Sequence, residues 1–476
     1  MYFPALFVSP EGRCKKDQMA LYDPYLAVRR FGTGLSPNGP VPADAGGVLA
    51  DLDGPDTLRQ QFEVPPIETY QAIDAEIVRL RKAKRVTEDT DEMARLDDAA
   101  AAQKAKAAPL FAQAVRARIA RGIAAPIGFR ERLEWFWADH FTVRPQGGIS
   151  RRAVSTYWET AIRPNVSSHF AQMLRAVAMQ PLMLGSLDQN RSSGPNSRFA
   201  KERGEGLNEN YAREMIELHT LGADGSYSQR DVVELARILA GLGIRRGAFE
   251  WQLRRVEPGE KRFLGKVYGS DAPKLEDVFA AFDDLALHPD TARHLARKLA
   301  VHFISDTPDP GLVRHMAGRY RASDGDLTAL YAAMLEHPAA WKPFGSVKWP
   351  FEYLVSGLKA LGVPPERVMA ASRRDMKRGF YVPMRLMGQT YQRPTGPDGW
   401  AEADSAWITP QGIAGRIQWA MNAPASLLDE LPDPRRFLTD ALGPSPTSSV
   451  RFAAFNAESQ REGVGIVLAS SAFQRR

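Results

Sequence analysis

The residues best suited to chemistry fall in one segment, Gly206 to Gly222, which reads Gly-Leu-Asn-Glu-Asn-Tyr-Ala-Arg-Glu-Met-Ile-Glu-Leu-His-Thr-Leu-Gly. At about 100° per residue, Asn210, Glu214, Glu217 and Leu221 share one helix face, and Ala212, Met215, Ile216 and His219 share the opposite one. Apolar residues on both sides indicate a central helix rather than a surface one. Two carboxylates three apart on such a helix are expensive to bury unless a cation, a metal or a shared proton compensates them. Glu214 and Glu217 therefore read either as an acid/base or metal-ligand pair, or as partners of buried cations. Arg198, Arg203 and Arg213 are the candidate cations in the second case.

His140 is the second candidate. It lines up with Leu133, Phe136 and Trp137 on an aromatic helix stripe, where an imidazole is either a hydrogen-bonded core group or a ligand. His219 stands on an apolar stripe with the same two readings. Taken together, His140, His219, Glu214 and Glu217 would be a catalytic set, and His140, Glu214 and Glu217 candidate ligands of a divalent metal. Imidazole and carboxylate suit zinc, iron or manganese. The polar loop Asp188-Gln189-Asn190-Arg191-Ser192-Ser193-Gly194-Pro195-Asn196-Ser197 could floor a pocket. Asn208, Asn210, Asp188, Asn190, Asn196 and Asp231 are the binding candidates. Trp400 and Trp407 could stack on a sugar or cap the core; capping is the simpler expectation. His169, His294, His315 and His337 read as structural.

The elements that must hold these residues are mostly helices. An Ala-, Arg- and Lys-rich stretch over 67–120 predicts two helices forming a projecting arm, with Thr87–Asp91 as the turn. Helices are expected at 129–141, 150–162, 164–177, 208–221, 231–242, 275–287, 290–305, 310–320, 326–336 and 348–361. Alternation around Phe249, Trp251 and Leu253, a turn at 257–260 and a return over 263–268 predict one β-hairpin at 249–268. Residues 383–412 form a Pro-, Gly- and Trp-rich loop, and three or four short helices finish the chain. The expected fold is mostly α, one large multi-helix unit over 20–476, with residues 1–19 a flexible tail or start-site extension.

Composition narrows the function. Of 476 residues, 62 are Lys or Arg and 56 Asp or Glu, a net +6 spread along the chain. That is too dilute for a nucleic-acid protein, which needs its cations on one face. One cysteine, Cys14, excludes internal disulfides and multi-cysteine metal motifs. No apolar run reaches the length of a membrane span. There is no phosphate-cradling Gly-Lys-Ser/Thr loop, no nucleophile elbow and no His-Glu-x-x-His helix.

Several segments resemble the bacterial family known as domain of unknown function 1800. They are Phe136-Trp137-Ala138-Asp139-His140-Phe141-Thr142-Val143, Asp188 to Ser192 with Gly194-Pro195-Asn196-Ser197, Gly206 to Gly222, and Tyr227-Ser228-Gln229-Arg230-Asp231-Val232. Later come His288-Pro289-Asp290-Thr291-Ala292, Lys298 to Phe303, Lys348-Trp349-Pro350-Phe351-Glu352, Gly388-Gln389, Gly399-Trp400, and Leu468 running to Arg476. The resemblance spans about residues 20–476. It implies a companion of the domain of unknown function 1501 type, which resembles sulfatases and alkaline phosphatases, and it implies export for many relatives. Gln180 and Val256 stand where relatives usually have histidine, and Leu242 where they usually have tryptophan. Two functions are carried forward: a metal- or acid/base-dependent enzyme acting on a polar bond, and a non-catalytic helical scaffold that escorts the sulfatase-like companion. No signal precedes Ala20, so the sequence by itself implies the cytoplasm, with export in company of a signal-bearing partner.

Overall fold

The structure is a computed structural model that describes residues 22–145, 147–204, 206–343 and 345–476. The expectation for residues 1–19 lies outside the described residues. The protein is mostly α-helical, with two small antiparallel two-stranded sheets.

The arm is two antiparallel helices, α1 (Ile67–Lys84) and α2 (Thr90–Ala124). Asp89 caps α2 by accepting from the amides of Asp91 and Glu92, as a short side chain at a helix start should. The arm stands off the body only in its distal half. Tyr70, Ile73 and Ile77 of α1 and the α2 residues from Ala107 to Ile123 bury against the body, whereas the charged stretch around 81–106 is largely exposed.

Helix α3 (Phe129–His140) runs through the centre between two apolar clusters. Phe129, Leu133, Phe136 and Trp137 belong to one, and Trp135 to the other. It also carries three buried charges, Glu131, Arg132 and Glu134. Each is paired. Arg163 bonds both oxygens of Glu131 at 2.9 and 2.6 Å, Arg118 reaches Glu134 at 3.2 Å, and Arg132 meets Glu352 at 2.6 Å. These pairs tie α3 to α2, to the 150–165 segment and to the later helix that carries Glu352.

The expected 208–221 helix begins at Asn210. It is a short α-helix, α4 (Asn210–Glu214), that widens into a π turn over Met215–His219. The 150–162 segment is likewise composite, with a π turn at Trp158–Ile162. Helix α5 (Gln229–Leu239) starts with a Ser228/Asp231 capping box and stops before Gly241, whose φ is +102°.

The single hairpin expected at 249–268 is two hairpins. Strand β1 (Leu242–Arg245) pairs with β2 (Ala248–Trp251), and β3 (Lys261–Phe263) with β4 (Lys266–Tyr268). The two-residue turns are Arg246-Gly247, at φ +52° and +80°, and Leu264-Gly265, at +46° and +78°. Two successive positive φ values make the tight turn that matches strand twist. Neither turn carries the usual Asn-Gly signal, so the sequence alone points to a turn at Glu257–Glu260 instead.

The remaining body helices include α6 (Pro289–Phe303), α7 (Pro350–Ala360) and α8 (Pro410–Leu427). Pro sits in the first turn of each, where its missing N–H is not needed. The Pro/Gly/Trp loop is trimmed at both ends, by a helix at Val382–Leu386 and by α8. Five helices, counting α8, finish the chain.

Candidate functional site

The C-terminus of α3, the end of the π turn and one face of α6 meet at a histidine cluster. His140 Nε2 lies 3.1 Å from the His219 carbonyl, and His294 Nε2 lies 3.0 Å from the Leu218 carbonyl. The final carbonyls of a helix have no partner within it. Neutral imidazole N–H groups supply that partner here. Burial is the main cause that pushes His219 down to about 3 and His294 to about 4, and holds His140 well below its usual value. The expected contact between the 129–141 and 208–221 segments is therefore real, and it is made by their C-terminal ends. His294, expected to be structural, makes the bond of a helix cap. His140 Nδ1 is buried and has no partner among the described residues.

Beside His140 stands Asp139. Its carboxylate accepts from the Trp400 amide at 3.0 and 3.3 Å. The loop can approach this closely because residue 399 is glycine. Its φ is +84°, and a Cβ there would lie 2.7 Å from an Asp139 oxygen. Burial pushes the Asp139 carboxyl up to about 7, with Lys298 and the Trp400 amide opposing and Glu402 and Asp398 assisting. Lys298 of α6 pairs with Glu402, fastening the far end of the loop over the site.

Two spaces touch this carboxyl, and a third lies next to one of them. A cavity of about 10 Å³, room for one water, is bounded by Asp139, His140, Lys298, His302 and Glu402. A second, of about 80 Å³, is walled by Trp135, Trp158, Trp349, Trp400 and Tyr391 and also touches Asp139. Thr142, Gln392 and Pro394 line both this cavity and a third, an open cleft of about 600 Å³. Arg144, Arg151, Arg393, Asn210 and Glu214 are on the cleft wall.

The structure distributes the expected site residues unequally. Asn210 and Glu214 line the open cleft, while His140 and His219 lie in the histidine cluster. Glu214 makes no ion pair among the described residues. Burial, then Glu217 and Asp398, raise its pKa, and Arg213 opposes them. Glu217 is paired with Arg213 at 3.4 Å, and the same guanidinium reaches Glu209 at 3.3 Å. Of the candidate cations, Arg198 is engaged with Glu202 instead.

The other binding candidates bond within the protein. Asn208 bonds the Asp188 carbonyl and accepts from the Asn210 amide, and Asp188 faces Arg191 at 3.7 Å. Asn190 sits half-buried in the short helical turn that follows Asp188. Asn196 clamps both oxygens of Glu257. Asp231 caps α5 and accepts from the Leu264 amide, fixing the second hairpin. Trp407 caps the core, whereas Trp400 lines the aromatic cavity.

Among the described residues no three His, Cys, Asp or Glu side chains come together as a metal-ligand set. His140, Glu214 and Glu217 do not fit the divalent ion expected of them. Leu242 and Val256 are buried in the body, and with Gln180 they line none of these three spaces.

Asp139, Arg144, Arg393, Lys298 and Glu402 were not singled out from sequence. Asp139 had a visible signal: it is the one acid in the aromatic run Trp135 to Phe141. The arginines had none, since only the fold brings 144–151 and 393 to one cleft.

A mostly helical chain with a loop held over a carboxyl and an open polar cleft beside it defines the structural class. A family model described as "Protein of unknown function (DUF1800)" matches residues 26–475, and the chain belongs to that family. No curated protein and no solved structure matches it. No helix among the described residues is long and apolar enough to cross a membrane.

Proposed function

We propose that this protein is an acid/base enzyme acting on a polar bond, with Asp139 as the titrating group. One observation carries the reading: a carboxyl held near neutrality faces a water-sized cavity and an aromatic cavity that shares lining residues with a large cleft. A group whose pKa lies near the working pH is present in both forms and can accept and return a proton. The Trp400 amide and the Lys298–Glu402 pair act as positioning groups, since they hold the loop against the carboxyl. Perturbed carboxyls also occur in structural networks. Asp139 differs from those in this protein: Glu134 and Glu352 each bond an arginine, whereas Asp139 bonds one backbone amide.

The test has two parts. Carbon-detected titration of labelled Asp139 should give a midpoint near 7. A screen of esters, phosphoesters and glycosides should find an activity that follows this midpoint and disappears in Asp139→Asn. A midpoint near 4, or an activity untouched by Asp139→Asn, would overturn the reading.

The scaffold reading draws on Glu217, which Arg213 neutralises as a purely structural carboxylate would be. It requires a stable complex with a sulfatase-like companion. Co-purification of the two chains tests it directly.

A further inference from the structure

We infer that the open cleft is an anion-binding subsite, and that the substrate is a small organic molecule bearing a phosphate, sulfate or carboxylate group. This deepens the Asp139 reading and rests on it only for which end of the ligand reacts.

The cleft has about 600 Å³ of space, within the ordinary range for small-molecule sites. Three guanidinium groups, Arg144, Arg151 and Arg393, line it against one carboxylate, Glu214. Asp398 acts on Glu214 without lining the cleft. Arg144 and Arg393 make no side-chain hydrogen bond or ion pair among the described residues. Guanidinium is the side chain best matched to phosphate and carboxylate oxygens, and a cleft lined by one sign of charge concentrates the opposite ion.

The backbone of both arginines is fixed before any ligand arrives. The Arg144 amide donates to Ser186 Oγ at 3.0 Å. Arg393 follows Gln392, a non-glycine residue at φ +55° whose Nε2 donates to Ser155 Oγ at 2.6 Å. A left-handed conformation at such a residue is unfavourable and persists where surroundings impose it, commonly at ligand sites. Gln392 also lines the aromatic cavity, so the same residue that seats Arg393 connects the anion subsite to the space around Asp139. A ligand anchored by its charge at the arginines would extend its uncharged part past Thr142 and Gln392 toward the carboxyl.

Equilibrium dialysis of the full chain with radiolabelled inorganic phosphate tests the subsite without turnover. One phosphate per chain should bind, competed by sulfate and acetate and weakened by added sodium chloride. Arg144→Gln and Arg393→Gln should each weaken binding about tenfold or more. Arg321→Gln, an exposed arginine elsewhere, should leave it unchanged. Both cleft arginines are exposed, so folding is spared and circular dichroism verifies this. Absence of saturable binding, or equal binding by wild type and both cleft variants, would overturn the inference. Saturable phosphate binding with Asp139 titrating near 4 would remove the acid/base reading and leave the anion subsite standing.

Discussion

Asp139 and His140 are neighbours in sequence with opposite consequences of burial. Loss of water disfavours the charged form of each, so the carboxyl rises and the imidazole falls. The result is a carboxyl pushed up to about 7 beside a neutral histidine that caps a helix end. A stability prediction follows from the sign of the first shift. In the unfolded chain Asp139 ionises near 4, and in the folded protein near 7, so folding loses stability as pH rises between these values. Asp139→Asn removes that loss and keeps an acceptor for the Trp400 amide. The variant should match wild type near pH 3.5 and exceed it at pH 8, by about 2–3 kcal/mol after allowing for a partly wetted carboxyl. Urea unfolding at the two pH values measures the gap, and an equal gap at both would sink the assignment. Gly399→Ala addresses the same contact from the loop. It places a methyl against the carboxyl at a positive φ, and should lower stability by about 1–2 kcal/mol while shifting Trp400 fluorescence. His140 drew attention in the sequence because imidazole has few bland uses on an aromatic stripe. Its bond to a backbone carbonyl is one of those uses, and helix periodicity alone could not show it.

Individual elements were legible where their signals were local. Ser228 marked the start of α5, and the helices expected at 290–305 and 348–361 begin within two residues of the first-turn prolines of α6 and α7, whereas α8 begins inside the stretch expected as loop. The π turns at Trp158–Ile162 and Met215–His219 were not legible, because one extra residue in a turn leaves the apolar pattern nearly intact. Both border the site: Trp158 walls the aromatic cavity, and the end of the second turn receives His140 and His294. Widened turns often mark functional positions in helices. The hairpin error has a testable counterpart. Arg246 is exposed in a left-handed turn position that asparagine tolerates better, so Arg246→Asn should raise stability by about 0.5–1 kcal/mol in thermal unfolding. The buried pairing beneath the site predicts the opposite sign. Glu352 bonds Arg132 at 2.6 Å and Arg476 at 2.8 Å. Burial raises its pKa, but the two arginines outweigh that and hold it below the usual carboxylate range. Glu352→Ala leaves both cations buried without a counter-ion, held by backbone carbonyls, and should lose about 3–5 kcal/mol in denaturant unfolding.

At the scale of the whole molecule, the mostly helical character followed from periodicity alone, because a 3.6-residue repeat survives in a single sequence. The cleft did not, because its walls come from residues 142–151, 186–214 and 392–397, which no local pattern links. The arm shows the boundary between the two kinds of knowledge: its helices were readable, but which half packs on the body depended on partners far along the chain. Its tip has one more consequence. Val86 is 81% exposed between two helices that already run side by side, far along the chain from every residue lining the cleft. Such a point tolerates interruption of the chain. A small fluorescent domain spliced between Val86 and Thr87 should leave the unfolding midpoint within a few degrees of the parent and phosphate dialysis unaltered. The protein thus carries a natural splice point, through which it can be labelled, immobilised or fused while both ends of the polypeptide are left as they are.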